Sequence, residues 1–160
     1  MNCVLRVGIA SLALGFVTSA ANAESFTFTT KIAAPSNSVM ITEGMPKPVG
    51  AIFGNSESIT TYSDGRKVAN TASCAQRTLR PGSSDFDTNG VCTNTEKNGD
   101  VASILFGCIL DTKTQQGDCW GGLQGISGSR KDKTGTISWH SVSSTDGKSG
   151  TATGVGRWND

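Results

Sequence analysis

The sequence holds one histidine, His140, and none of its five cysteines stands in a Cys-x-x-Cys pair. The first shortage excludes zinc centres built on several histidines, and the second leaves a four-cysteine zinc site without its usual ligand spacing. Neither sign of charge is in excess, with 14 Lys and Arg against 13 Asp and Glu. Such a balance gives no general attraction to phosphate backbones or anionic lipid, and no basic face interleaved with aromatics is visible, so nucleic acid is not an expected partner. The densest basic stretch, "SRKDKTG" at 129–135, is interrupted by Asp132 and reads as a solvated turn. No G-x-S-x-G elbow occurs, and "GGLQGISG" at 121–128 lacks the lysine and Ser/Thr pair of a phosphate loop. Asp85, Asp87 and Asn89 hint at a calcium loop, but the spacing and the terminal glutamate of such a loop are missing. The expectation is a protein with no cofactor and no metal.

Long apolar runs are also missing, apart from one near the start. It extends from Val7 to Val17, short of the ~20 residues that a spanning helix needs. With Arg6 before it and Ala21-Asn22-Ala23 after it, it reads as a secretory signal peptide over residues 1–23, cleaved after Ala23. Cys3 lies before the apolar run, the wrong place for a lipid-modified cysteine. The expected mature chain, residues 24–160, is a single domain, exported to the periplasm or secreted, with no integral membrane segment. It keeps Cys74, Cys92, Cys108 and Cys119, and an even count in an exported chain reads as two disulfides. Of the three possible pairings, Cys74–Cys92 with Cys108–Cys119 is favoured, because each pair brackets turn-forming residues and could face across adjacent strands.

What is present is alternation. In "SFTFTTKI" (25–32), Phe26, Phe28 and Ile32 share one face while Ser25, Thr27, Thr29 and Lys31 share the other, as in a strand with one wet side. "GAIFG" (50–54) is a short apolar strand candidate. Asp64-Gly65, Asn98-Gly99 and Asp146-Gly147 each lie between two strand-like runs and read as tight two-residue hairpins with positive φ at both turn positions. The stretch "APSNSVMITEGMPKPVG" (34–50) reads as a long loop or helical turn, since Pro46 and Pro48 prevent a continuous helix. Seven or eight strands at hairpin spacing imply an all-β fold. A small antiparallel up-and-down β-barrel of about eight strands is expected, with a β-sandwich as the alternative.

The glycines of the C-terminal third fit that reading. Gly121, Gly122, Gly125, Gly128 and Gly135 are expected at the corners of a strongly coiled sheet, with Trp120 and Trp139 covering them or filling the core. The stretch "CWGGLQGISGSRKDKTGTISWH" and, loosely, "GTATGVGRWN" resemble small bacterial exported proteins related to the allene oxide cyclase and dirigent barrels. That resemblance implies an eight-stranded barrel with an apolar interior, used by some members to hold a lipid-like or phenolic molecule. Where those sequences often carry an aromatic and a glycine, this one has Arg130, Lys131 and Asp132, which implies a more polar and exposed corner. No residue role is carried over from the resemblance.

The aromatics are the leading candidates for a site. Ile137 and Trp139 share one face of their strand, Ser138 and His140 the other, and Phe26 with Phe28 should join whichever set points inward. The expected function is a non-catalytic exported barrel that binds a small apolar ligand or an envelope component, the ligand touching Trp139, Ile137, Phe26 and Phe28. The alternatives are a barrel cyclase or isomerase, with His140, Tyr62 or Arg77 as conceivable participants, and a structural or protein-binding module. A solid core filled by the same side chains is the bland counterpart of a pocket.

Overall fold

A computed structural model describes residues 23–41, 49–78, 87–111, 113–146 and 148–159. The leader expected over 1–23, all but Ala23, therefore lies outside the described residues, as do Asp85, Pro46 and Pro48. The strands are β1 (Glu24–Ile32), β2 (Asn37–Ile41), β3 (Val49–Tyr62), β4 (Lys67–Thr78), β5 (Thr88–Glu96), β6 (Val101–Asp111), β7 (Gln116–Ser127), β8 (Thr134–Ser143) and β9 (Gly150–Asn159). The helical content among the described residues is one 3-10 turn, Gly128–Arg130, and no helix there is long and apolar enough to cross a membrane.

Neighbours in sequence pair antiparallel from β3 to β9, and β1 inserts between β9 and β3. The sheet thus closes on itself as an eight-strand up-and-down barrel, and the sandwich alternative falls. β2 is not a ninth stave. It continues β1 along β3: Ile32 faces Ser56 and Asn37 faces Phe53, so the β1–β2 side advances two residues more than β3. Amides of Ala33 and Ser36 keep contact through the bulge, donating to the carbonyls of Asn55 (3.2 Å) and Phe53 (2.8 Å). The stretch expected to be a loop over 34–50 therefore contains a strand, and "GAIFG" belongs to a 14-residue strand. Pairing along a partner strand supplied the order that local propensity did not.

The hairpins lie where expected, but two of them differ in type. Tyr62 N donates to Arg66 O and Gly65 N to Tyr62 O, and the same pattern joins Glu96, Asp100 and Gly99. These are three-residue loops with only the glycine left-handed, Gly65 at φ 85° and Gly99 at φ 94°. The preceding Asp64 and Asn98 avoid positive φ by bonding forward, their Oδ1 accepting from Arg66 N (2.9 Å) and Asp100 N (3.1 Å). Asp146 sits at the β8–β9 turn, and Gly147 is outside the described residues.

Inside, large rings lie against glycines. A Cβ at Gly156 or Gly154 would run into the rings of Phe26 and Phe28, and one at Gly90 would meet Phe106 at 2.8 Å. The bare backbone opposite each ring is what lets phenylalanines fit a narrow barrel. The rings cover Gly90, Gly154 and Gly156 rather than the glycines of 121–135, and Trp120 stands on the outer wall, 47 % exposed. Gly125 does sit at a corner, where the β6–β7 register shifts and Arg130 O presses on its backbone. The core forms two clusters, one of Phe26, Tyr62, Ala102, Leu123, Ile137 and Trp158, the other of the four cysteines with Phe106.

Candidate functional site

Inward side chains leave a cavity of about 400 Å³ along the barrel axis. Its floor is the end that carries the β3–β4, β5–β6 and β7–β8 connections, and Ile32, Thr78, Leu110 and Ser143 line the other end. A volume of this order suits a small organic molecule. All four residues expected to touch a ligand, Phe26, Phe28, Ile137 and Trp139, line it.

The lining is uneven around the axis. The sector formed by β3, β4 and β5 contributes Ser56, Ser58, Thr60, Gln76 and Asn94. The opposite sector, with β1 and β6 to β9, contributes Phe28, Ile104, Leu123, Ile137 and Trp139. Both disulfides belong to the wall. Cys74 faces Cys92 and Cys108 faces Cys119 in direct register across β4–β5 and β6–β7. This is the pairing favoured from the sequence, and it leaves no room for a four-cysteine metal site. Phe106 meets Trp139 edge-on beside them, ring centroids 5.3 Å apart.

The floor is polar and closed. Tyr62 (3 % exposed) donates its phenolic hydrogen bond to Glu96 Oε1, and Glu96 Oε2 accepts from Asn98 Nδ2 at 3.1 Å. Arg130, 4 % exposed, lies beneath. Its guanidinium stacks 4.9 Å from the Tyr62 ring and 5.3 Å from Trp158, pairs with Glu24, and brings Nε within 4.0 Å of Glu96. Arg66 covers the other side of Tyr62 at 4.1 Å and also reaches Glu24 at 2.5 Å. Burial, then the hydrogen bond and charge of Glu96, push the Tyr62 phenol well above its ordinary pKa, against the opposing pull of Arg130. The phenol is therefore held neutral.

The corner expected to be exposed divides. Lys131 and Asp132 are solvated, but Arg130 turns inward as the cation of this floor. Its burial is compensated by Glu24 and Glu96 and by two aromatic faces. Asp100 holds the same turn, accepting from Ser129 N at 2.8 Å and from Ser129 Oγ.

His140 lies on the outer wall, exposed and paired with Asp118 at 2.8 Å. Arg77 is also outside, bonded to Asn89 at 3.0 Å, and Asp87 accepts from Leu110 N at 2.8 Å. Of the three conceivable participants in catalysis, Tyr62 alone faces the interior. Its partner Glu96 was not singled out from the sequence, although a signal exists: each residue stands two positions before the Asp or Asn of a turn, in "YSDG" and "EKNG". Equal offsets before two turns at the same end place both side chains at one depth.

Comparison with protein-family models, with curated proteins and with solved structures returned no match.

Proposed function

We propose that this barrel binds a small, mainly apolar molecule in its interior, as an exported protein without catalytic activity. The observation that carries the reading is the cavity of about 400 Å³, walled by Phe26, Phe28, Ile137 and Trp139. Large apolar side chains that could fill the axis stand around it instead, and a few hundred Å³ with few polar groups is how small apolar ligands are held. Two disulfides in the wall accord with export, and the loose resemblance to allene oxide cyclase and dirigent barrels points the same way.

Organic extraction of native protein followed by mass spectrometry tests it, with Trp139→Ala as the companion variant. A binding barrel yields a co-purifying compound, and the variant stays folded but loses it. An empty extract, with a variant that only melts earlier, leaves a structural barrel.

A second reading, a barrel cyclase or isomerase, is favoured by one observation: Tyr62 and Glu96 face the cavity. Binding is preferred because the two groups are engaged with each other and the phenol holds its proton. Turnover of an extracted compound, abolished by Glu96→Gln, would reverse the preference.

A further inference from the structure

We infer that the ligand is a neutral, two-sided molecule: a ring system with one bare apolar face and hydroxyl or N–H groups along the opposite edge. The inference rests on the binding reading above and names the class of ligand. Around the closed sheet β4 stands opposite β8, so the polar sector and the apolar sector face each other across the axis. On one side are Ser56, Ser58, Thr60 and Asn94, and on the other Phe28, Ile104, Ile137 and Trp139. A ligand that is apolar all round would strip water from that row of hydroxyls and amide and return nothing to it, at a cost comparable to lost hydrogen bonds.

The groups near the floor define the polarity of the edge. Tyr62 directs its O–H at Glu96, so what its oxygen offers is a lone pair. Thr60 Oγ1 already accepts from Asn70 Nδ2 at 2.9 Å. The Tyr62 oxygen calls for a ligand O–H or N–H, and the hydroxyls of Ser56, Ser58 and Thr60 with the amide of Asn94 can donate as well as accept, which suits hydroxyl groups. Charge is selected against in both senses. Among the described residues no lysine or arginine lines the cavity, while Glu96 does, so a carboxylate would enter without a counter-ion and against a like charge. A cation would find Glu96 already engaged by Tyr62, Asn98 and Arg130.

Fluorescence titration of the ligand-free protein with four probes of one shape tests this: 2,7-dihydroxynaphthalene, 2-naphthol, 2-methylnaphthalene and 2-naphthoate. The expected order is diol, then naphthol, then methylnaphthalene, each step roughly threefold or more as a net hydrogen bond is lost, with no measurable binding of naphthoate at neutral pH. The double variant S56A/S58A removes two wall hydroxyls without touching the floor. It should weaken the diol roughly fivefold or more while leaving methylnaphthalene unchanged or tighter. Methylnaphthalene equal to the diol, with neither affected by the double variant, overturns the two-sided ligand and leaves a binding barrel standing. Naphthoate bound as well as naphthol also overturns it. Failure of all three neutral probes sinks the binding reading itself and this inference with it.

Discussion

Tyr62 and Glu96 close the barrel floor as a donor and an acceptor from two different hairpins, 34 residues apart in the chain. The phenol is the only one in the sequence, so its ionisation can be followed by absorbance without interference. Its folded pKa lies above the unfolded value near 10. Below pH 10 both states keep the proton and the contribution to stability is complete. Above pH 10 the unfolded chain releases a proton that the folded chain retains, so stability falls as pH rises. Native protein is expected to show no tyrosinate band at pH 10.5, denatured protein roughly three quarters of a full one, and Tyr62→Phe a flatter loss of stability between pH 10 and 12. A native titration near pH 10 would contradict the buried hydrogen bond.

Arg130 is the cation on which that floor depends. Arg130→Met keeps much of the side-chain volume but leaves Glu96 and Glu24 facing one another without it. Breaking a buried pair from one side costs about 3 kcal/mol or more, and urea unfolding should show it. Lys131→Met, one residue on and solvated, is the control and should change stability by less than about 0.5 kcal/mol.

Gly154 and Gly122 separate packing from composition. A Cβ at Gly154 would collide with the Phe28 ring and with the carbonyl of Ser138, whereas one at Gly122 meets nothing within 4 Å. Gly154→Ala should lower stability by about 1–3 kcal/mol. Gly122→Ala, on the outer face of a strand, should be neutral or slightly stabilising. Equal melting temperatures for both would show that rings do not rest on bare backbone.

Each disulfide should be separable from the other. The loops they close span 18 and 11 residues, and chain-entropy reasoning gives about 3 kcal/mol for each. Paired Cys→Ala variants, C74A/C92A and C108A/C119A, should each lower the denaturant midpoint by comparable amounts, with additive effects, because the bridges staple different hairpins. Thiol titration of unreduced protein comprising residues 24–160 should find no reactive thiol.

Much of this architecture was legible because the interior of a small barrel imposes a period of two. Alternation put Phe26 with Phe28 and Ile137 with Trp139 on shared faces, both of which line the cavity, and the D-G and N-G pairs located the turns. What was not legible depends on partners distant in sequence. β2 is ordered by β3 rather than by its own residues. Arg130 looked like one charge in a solvated run, because nothing local reveals that Tyr62, Glu96 and Trp158 wait across the floor. The turn type was misjudged for a local reason: Asx bonding at Asp64 and Asn98 supplies the bend without a second left-handed residue.

Both covalent staples lie within the row of hairpins from β4 to β7, and neither crosses the place where β1 joins β3 and β9. That seam is held by backbone hydrogen bonds and, at its lower end, by Glu24 gripping Arg66 and Arg130. The wall is therefore a zipped garment with one fastening. Partial opening should begin there, and amide protons of β1 should exchange with solvent sooner than those of β5 and β6. Such an opening would expose the interior sideways, past β1, while the stapled hairpins stay closed.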